Sequence, residues 1–371
     1  MELRPPIPTS GFERQHESLV QSQLAAVERV FRSGRYVLGA EVESFEREWT
    51  TWLGSKAAVG VGNGMDALEI GLRVLGIGEG DEVVTTPMTA FATVLAILRA
   101  GAEPVFADID PDTANLDPSS VERCLSSRTK AVSLVHLYGQ AGPVEALSTL
   151  CRARGIHLVE DCAQAHGAKA SGRYVGTWGT VAGWSFYPTK NLGGIGDGGA
   201  LTTESEELAD KARQIRNYGQ SVLYRHPIIG MNSRLDELQA AILRERLKHL
   251  HSWTARRRTI AETYAAGIRN SLVHVLPLPT DPERHVHHLS VVTTPVRDAL
   301  QSHLRDWGVE TKFHYPVPIH HQDSCRSLRR DPNGLGSAEL HAARCLSLPI
   351  HPSLTDDEVF RIVEAVNDFR A

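Results

Sequence analysis

Lys190 has the surroundings that a nucleophilic lysine needs. It follows a short apolar run that predicts a strand, it comes directly after Pro188 and Thr189, and the glycine-rich stretch NLGGIGDGG begins at the next residue. A lysine that attacks a carbonyl group must lose its proton, and a partly dry site favours this because burial disfavours the ammonium form. The glycines would let the backbone approach a ligand, and the Ser185 hydroxyl could bond a phosphate. The alternative is a surface lysine before a flexible loop.

Asp161 is the second candidate, in the segment VEDCAQAHGA (159–168). It ends an apolar run, where a carboxylate is costly unless it pairs with a positive group. The protonated pyridine nitrogen of pyridoxal phosphate would be such a partner, and the protonated ring is the electron sink of that cofactor's chemistry. Gln164 could then donate to the ring's phenolate oxygen, and the small Ala163 would let the ring lie flat. The alternative is an aspartate that caps the next helix or accepts hydrogen bonds from loop amides.

Two predicted helix starts could bind a phosphate. The segment VGVGNGMDALEIGLRVLG (59–76) predicts a strand, a glycine turn and a helix, and the free amides at a helix N-terminus bind anions. It matches neither G-x-x-x-x-G-K-[ST] nor G-x-G-x-x-G, so a plain strand–helix turn around Gly62 and Gly64 is the alternative. In GMNSRLDELQAA (230–241), Asn232 is a possible helix N-cap, with Glu237 in the first turns of that helix.

Short apolar runs alternate with helical patterns from about residue 58, which predicts parallel strands joined by crossover helices. Before them, residues 41–53 predict an amphipathic helix. We expect an α/β fold in which residues 1–250 form a large domain with a mostly parallel sheet and N-terminal helices, ended by a long helix that starts beside Asn232. Residues 251–371 are expected to form a smaller C-terminal α+β domain that completes a cleft. The predicted strands are EVV (82–84), PVFADID (104–110), KAVSLVHLYG (130–139), IHLVED (156–161), GWSFYP (183–188) and GALTTES (199–205).

Composition and charge exclude several classes of function. The 371 residues include 39 Lys and Arg and 44 Asp and Glu, so the formal net charge is -5 and does not favour binding to nucleic acid or to an anionic membrane. No apolar stretch has the length of a membrane span, and the first twenty residues lack an apolar run of signal-peptide type. The five cysteines form no C-x-x-C pair, which is typical of a reducing compartment. We expect a cytoplasmic enzyme.

A run of histidines, His285, His287 and His288, could suggest a metal site. In a strand, His285 and His287 would share a face. No Cys, Asp or Glu at ligand spacing completes such a site, so we expect no metal.

Taken together, these segments resemble the DegT-type nucleotide-sugar aminotransferases, which belong to the fold-type I pyridoxal-phosphate enzymes. The resemblance runs from about residue 25 to the C-terminus and keeps the order and spacing of the family's motifs. The motifs are VGNGMDAL, EDCAQAHGA, SFYPTKNLGGIGDGG, GMNSRLDELQAAIL, KFHYPVPIH and CLSLPIHPSL.

The resemblance implies a role for each candidate residue. Lys190 would carry pyridoxal 5'-phosphate as an imine, Asp161 would pair with the pyridine nitrogen, and Gln164 would bond the phenolate oxygen. An amino acid, with glutamate expected, would displace Lys190, which would then move the proton from the amino acid's α-carbon to the cofactor. The aminated cofactor, the PMP form, would next react with a keto sugar.

The phosphate contacts are also implied by the resemblance. The amides of Gly64 and Met65 and the Ser185 hydroxyl would hold the phosphate, and Asn232 would reach the phosphate of the partner subunit's site, because the family works as homodimers with shared active sites. The chain departs from the family at two positions. Met65 replaces a frequent Thr or Ser, and Ala90 replaces a frequent aromatic residue that stacks on the ring, so Phe91 is the candidate to take over that stacking.

The resemblance also implies the substrate. The acceptor would be a nucleotide-linked keto-6-deoxyhexose, aminated in amino-sugar biosynthesis for an antibiotic or a polysaccharide, and G-N-G-x-D-A-L is similar to members that act at the 3-position. His314, Tyr315 and His320 would contact sugar hydroxyls, and Tyr224 lies in a loop that could cover the cleft; ordinary structural and surface loops are the alternatives. Amination at the 4-position and a non-catalytic regulatory protein of the same fold remain open, whereas a dehydratase of the family would lack Lys190.

Overall fold

A seven-stranded sheet is the core of the larger part of the chain, in a computed structural model that describes residues 5–371. The strands of this part are β1 (Ala57–Val61), β2 (Glu82–Thr85), β3 (Glu103–Phe106), β4 (Thr129–Val135), β5 (His157–Asp161), β6 (Lys169–Ala170), β7 (Arg173–Tyr174), β8 (Val181–Ser185) and β9 (Gly199–Thr203). The sheet has the order β1-β9-β8-β5-β4-β2-β3, while β6 and β7 pair separately. Strand β9 is antiparallel to β1 and β8, and the other pairs are parallel. The mostly parallel sheet is therefore confirmed.

Helices cover both faces of this sheet. They are α1 (Glu17–Ser33), α2 (Ala40–Leu53), α3 (Gly64–Val74), α4 (Phe91–Arg99), α5 (Pro118–Cys124), α6 (Val144–Arg154), α7 (Glu206–Ile215) and α8 (Glu237–Leu247). Val83 and Val84 of β2 are adjacent in sequence but belong to different buried clusters, one with residues of α3 and α4 and the other with residues of α2 and α6. The strands are buried on both faces, which explains their continuous apolar runs.

The carboxyl ends of β4, β5 and β8 lie side by side at one edge of the sheet. Val135 pairs with Asp161, and Asp161 pairs with Gly183. Ser185 ends β8, and the turn that carries Lys190 follows it. Since ligands of open α/β sheets bind beyond the carboxyl ends of the strands, this edge is where a site is expected.

The rest of the chain forms a smaller α+β part. Its elements are α9 (Leu250–Gly267), β10 (His274–Val275), β11 (Ser290–Thr293), α10 (Arg297–Asp306), α11 (Gly336–Arg344), β12 (Cys345–Leu348) and α12 (Asp356–Asp368). The three strands form an antiparallel sheet in the order β10-β11-β12. Near the N-terminus, Ile7 pairs with Val309 and is buried in the hydrophobic cluster of this part. Among the described helices, none has the length and apolar character that a membrane crossing requires.

The helix predicted to start beside Asn232 starts later and is interrupted. Asp236 occupies the N-cap position, α8 begins at Glu237, and α9 is a separate helix. The prediction that Asn232 is a helix N-cap was therefore wrong. Asn232 and Asp236 instead form isolated β-bridges with Asn217 and Val37, and these need an extended backbone.

Glu237 caps a different helix from the one it begins. The N-cap position of α2 is a glycine, which has no side chain to accept hydrogen bonds from the first amides. The Glu237 carboxylate supplies the acceptor across 195 to 198 residues of sequence. Its donors are the backbone N–H groups of Gly39 at 2.8 Å, Glu41 at 2.9 Å and Val42 at 2.9 Å.

Candidate active site

Lys190 lies in a tight turn after β8. Its backbone amide donates to the Tyr187 carbonyl oxygen at 2.8 Å, and at Gly193 a Cβ atom would come within 2.5 Å of the Pro188 carbonyl oxygen, so this close turn requires glycine. Desolvation lowers the pKa of Lys190 to about 8, and the negative charge of Asp161 acts in the opposite direction. The side chain is partly exposed, so a ligand can reach it. Such an amine can act as a nucleophile and as a proton carrier near neutral pH.

Asp161 ends β5 and is 5% exposed. Its Oδ1 atom accepts a hydrogen bond from the Ala163 amide at 3.1 Å, so it does bond a loop amide. Its Oδ2 atom accepts from the Thr93 hydroxyl at 2.7 Å, and the Thr89 hydroxyl lies 2.8 Å from the Thr93 hydroxyl. These contacts fix the orientation of a buried carboxylate beside Lys190. Thr93 was not identified from the sequence, where it is one threonine in an apolar helix.

Gln164 is held in one orientation. Its Oε1 atom accepts from the Tyr138 backbone amide at 2.6 Å, and its Nε2 atom donates to the Tyr315 hydroxyl at 3.2 Å. Burial, followed by the charge of Asp161, raises the pKa of Tyr315 to about 12, so this side chain stays a phenol. The structure thus brings Gln164 and Tyr315 together, as two of the predicted site residues, and adds Tyr138.

The start of α3 meets the end of β8. Asn63 caps α3 by accepting from the Asp66 amide at 2.9 Å, and the amides of Gly64 and Met65 have no hydrogen-bond acceptor among the described residues. A Cβ atom at Gly64 would lie 2.7 Å from the Ser185 Cβ atom, so only glycine permits this approach. Two free amides and the Ser185 hydroxyl therefore converge at a helix N-terminus, which is a suitable site for a phosphate.

The residues of the histidine run, His285, His287 and His288, are buried. The rings of His285 and His287 stack with centroids 3.8 Å apart, and the His285 Nδ1 atom accepts from the His287 amide. His288 Nδ1 lies 3.2 Å from the Asn191 side-chain oxygen. Burial lowers the pKa of His288 well below its ordinary range, and the nearby charge of Lys190 acts in the same direction. The three histidines are therefore neutral, His288 also lines the cavity beside Lys190, and no Cys, Asp or Glu joins them as a ligand group within residues 5–371.

A cavity of about 730 Å³ borders Lys190. His314 lines it, with its Nδ1 atom 2.8 Å from the Ser347 hydroxyl, and desolvation, followed by the charges of Lys312 and Lys190, lowers the pKa of His314 to about 4. No Asp or Glu contributes to the lining, whereas six cationic side chains do. They are Arg14, Arg246, Arg256, Arg257, Lys190 and Lys312.

Two of these cations are paired with carboxylates, and the others form no salt bridge in the described part of the chain, although the charge of Asp161 acts on Lys190. Arg14 and Arg256 pair with Glu358 and Asp356, each at 2.7 Å. Arg257 is buried and donates to backbone carbonyl oxygens, and desolvation lowers its pKa to about 10, so it stays charged at neutral pH. The cavity beside Lys190 therefore favours anionic ligands.

Four predicted site residues lie apart from this group. Phe91 is the first residue of α4 and is 39% exposed; it lies about 200° around the helix from Thr93 and hence from Asp161. His320 is 1% exposed, and its Nε2 atom lies 3.0 Å from a Glu339 carboxylate oxygen, which leaves it little access to a ligand. The other two, Tyr224 at 84% exposure and the exposed Asn232, face away from their own chain.

Comparison with known proteins identifies the family. The model of the DegT/DnrJ/EryC1/StrS aminotransferase family matches residues 17–367. The chain belongs to this family. It is an aminotransferase, and its cofactor is pyridoxal 5'-phosphate.

Individual relatives extend this result. The dTDP-3-amino-3,4,6-trideoxy-alpha-D-glucose transaminase of Streptomyces venezuelae is 44% identical over 365 residues, which cover 98% of this chain and 96% of the relative. A pleiotropic regulatory protein of Geobacillus stearothermophilus is 42% identical over 365 residues, 98% of either chain. The crystal structure of S. venezuelae DesV in complex with a ketimine intermediate matches with a TM-score of 0.94 and 44% identity, covering 98% of both chains.

The described residues fit the cofactor. Four groups lie at the carboxyl edge of the sheet: the Lys190 amine with its lowered pKa, the buried Asp161 carboxylate, the Gln164 amide with its NH2 group held in one orientation, and the free backbone amides at the start of α3. Groups of these four kinds are what the cofactor's carbonyl carbon, ring nitrogen, ring oxygen and phosphate require of a protein. Because Gly64 has no side chain, it approaches Ser185 closely and leaves the backbone amides at the start of α3 accessible to the phosphate.

Proposed function

We propose that this enzyme transfers an amino group from an amino acid, with glutamate as the expected donor, to the 3-keto group of a nucleotide-linked 6-deoxyhexose in amino-sugar biosynthesis. The observation that carries the proposal is the position of Lys190 beside a cavity of about 730 Å³ without acidic lining. The amino-acid donor carries carboxylates and the nucleotide-sugar acceptor carries a diphosphate, and a cavity lined by cationic side chains attracts both anions. The 3-position is supported by the relative that acts on a dTDP-linked 3-amino sugar.

In this proposal the cofactor contacts are divided among three side chains. The bound cofactor supplies a reactive carbonyl carbon and a ring that withdraws electrons. Asp161 would keep a proton at the ring nitrogen, and Gln164 would donate to the ring oxygen from its Nε2 atom. Lys190 would form the covalent link and, once displaced by the donor, would move the proton; its pKa of about 8 lets it serve in both forms.

We further propose a homodimer with shared active sites. The amides of Gly64 and Met65 and the Ser185 hydroxyl would hold the phosphate from one chain, and Asn232 would reach it from the partner. Asn232 is exposed, and the loop before it is unusually apolar for a solvent-facing loop. Its exposed residues include Val222 at 59%, Leu223 at 70%, Tyr224 at 84% and Ile229 at 91%. Burial of this loop against a second copy would also bring Tyr224 to the partner's substrate.

The sugar would meet His314 and Tyr315. His314 lines the cavity, and Tyr315, the next residue, accepts a hydrogen bond from Gln164. Because the buried His320 packs against Glu339, we assign it to the support of this segment rather than to the substrate. A cytoplasmic location agrees with the five free, buried cysteines.

A panel of substrates tests this function. The enzyme loaded with pyridoxal phosphate is incubated with glutamate and with thymidine- and uridine-linked 3-keto and 4-keto sugars, and products are identified by mass spectrometry and NMR. We expect amines at the 3-position. Amination only at the 4-position would establish the second candidate. Failure with every sugar and every amino acid, despite bound cofactor, would overturn the proposed donor and acceptor.

A further inference from the structure

Tyr138 is a buried side chain that connects three segments of the candidate site. It follows the carboxyl end of β4, is 2% exposed and has a φ of +61°. Residues other than glycine seldom adopt this left-handed conformation, because the Cβ atom crowds the backbone. Such a conformation persists where the surrounding contacts hold it, and at functional sites this is a recurrent arrangement.

The backbone of Tyr138 sets the orientation of Gln164. The Tyr138 N–H group donates to the Gln164 Oε1 atom at 2.6 Å. Since the amide oxygen is engaged on this side, Gln164 can present only its NH2 group on the other side, where it reaches the Tyr315 hydroxyl at 3.2 Å. The donor role proposed for Gln164 therefore depends on the conformation of Tyr138.

The hydroxyl of Tyr138 holds a second segment. It donates to the His314 carbonyl oxygen, and the His341 Nε2 atom lies 2.9 Å from the same hydroxyl. Burial raises the pKa of Tyr138 well above its ordinary range, so it stays a donor, and burial lowers the pKa of His341 to about 4, so His341 is neutral. Because the hydroxyl proton points to His314, His341 must donate from Nε2. The hydroxyl is thus fully engaged.

We propose that Tyr138 is a positioning residue for amino transfer. Its backbone fixes Gln164, and its hydroxyl fixes the carbonyl of His314, the residue directly before Tyr315. Both ends of the Gln164–Tyr315 contact are therefore held by one buried residue, at one end through its backbone N–H group and at the other through its hydroxyl. The inference rests on the proposed function, since it assigns to Tyr138 the geometry of the groups that would meet the cofactor's ring oxygen and the sugar.

The test compares Tyr138→Phe with a matched control, Tyr264→Phe. Tyr264 is also fully buried, and its hydroxyl donates to the Pro349 carbonyl oxygen at 2.7 Å, in the hydrophobic cluster of the C-terminal part. Each change removes one buried hydrogen bond to a backbone carbonyl, and Tyr138→Phe also removes the contact of the hydroxyl with His341 Nε2, so both should lower the melting temperature and Tyr138→Phe somewhat more. Only Tyr138→Phe should raise KM for the keto sugar, by about tenfold, with kcat within about twofold.

Two readouts separate positioning from a merely structural role. In Tyr138→Phe, Gln164 should be held less firmly, so its proposed hydrogen bond to the ring oxygen should stabilise that oxygen's negative charge less. The pH midpoint of the visible absorbance of the loaded enzyme should therefore rise. If KM and the absorbance midpoint of Tyr138→Phe match those of Tyr264→Phe, the inference is wrong.

A second variant decides the question if Tyr138→Phe does not fold. His341→Ala removes the donor to the Tyr138 hydroxyl and leaves the tyrosine in place, so it should raise KM in the same direction but less. An unchanged KM and absorbance midpoint in His341→Ala would then overturn the inference. If the wild-type enzyme itself aminates no sugar, the proposed function fails instead, so the two failures are distinguishable.

Discussion

Replacing Asp161 by asparagine is expected to lower the pKa of Lys190 in the cofactor-free protein. Desolvation brings that pKa down to about 8, while the charge of Asp161 is the contribution that raises it. Asparagine has nearly the same volume, and its oxygen can still accept from the Ala163 amide, which lies 3.1 Å from the Asp161 carboxylate. The substitution therefore removes a charge with little change of packing, and Lys190 should titrate below about 8.

The size of the effect follows from the neutral fraction of the amine. With a pKa of about 8, roughly one tenth of Lys190 is neutral at pH 7, whereas an ordinary lysine has less than about a thousandth. Only the neutral amine reacts with acetic anhydride, so brief labelling at a series of pH values, followed by mass spectrometry of the Lys190 peptide, measures the titration. Exposed lysines of the same digest serve as internal references. We expect a half-maximal rate near pH 8 in the wild type, and several-fold faster labelling of Asp161→Asn at pH 7.

Asp117→Asn is the control for this experiment. Asp117 also accepts hydrogen bonds from backbone amides, as the N-cap of α5, but it does not contribute to the pKa of Lys190. It should leave the titration of Lys190 unchanged. A half-maximal rate near pH 10 in the wild type would show that Lys190 is fully solvated. A midpoint in Asp161→Asn at or above the wild-type value would refute the assigned effect of the Asp161 charge.

Three further predictions follow from named contacts. Thr93→Val should lower the free energy of unfolding, measured in urea, by about 1.5–3 kcal/mol, because the buried Asp161 carboxylate loses a hydrogen-bond donor. The loss should be smaller when Thr93→Val is made in the Asp161→Asn variant. An equal loss in both backgrounds would mean that the two side chains do not interact. Glu237→Gln should lower the free energy of unfolding by about 1–2 kcal/mol in the same assay, because two amides of α2 and the amide of the preceding Gly39 lose a charged acceptor, and no loss would refute the capping role. Co-refolding Lys190→Ala with Asn232→Asp, each inactive alone, should restore up to one working site per mixed dimer, whereas sites confined to one chain would recover nothing.

Much of the fold could be predicted because both faces of the central strands are buried. Val83 and Val84 face different layers, and runs of this kind, alternating with helical patterns, are typical of parallel sheets. Asp161 and Lys190 could be singled out because a carboxylate at the end of a buried strand and a lysine before a glycine-rich loop need a physical reason.

The residues that escaped prediction act through contacts distant in sequence. Thr93 lies 68 residues from Asp161, and Tyr138 lies 176 residues from His314. The residues adjacent to them in sequence do not indicate a role in the site, although the two hydroxyls of Thr89 and Thr93, spaced i, i+4, are a weak signal. The N-cap predicted at Asn232 failed because the β-bridges of Asn232 with Asn217 and of Asp236 with Val37 keep that backbone extended.

Trapping the cofactor on the protein tests the central claim most directly. The enzyme loaded with pyridoxal phosphate is treated with borohydride, digested and analysed by mass spectrometry. Lys190 is the lysine whose surroundings combine a pKa of about 8 with the charge of Asp161 and a cavity for anions. We expect the reduced cofactor on the Lys190 peptide, and loss of both the label and amino transfer in Lys190→Arg, which keeps the charge but cannot form the link. A label on any other lysine, or amino transfer that survives in Lys190→Arg, would contradict the account.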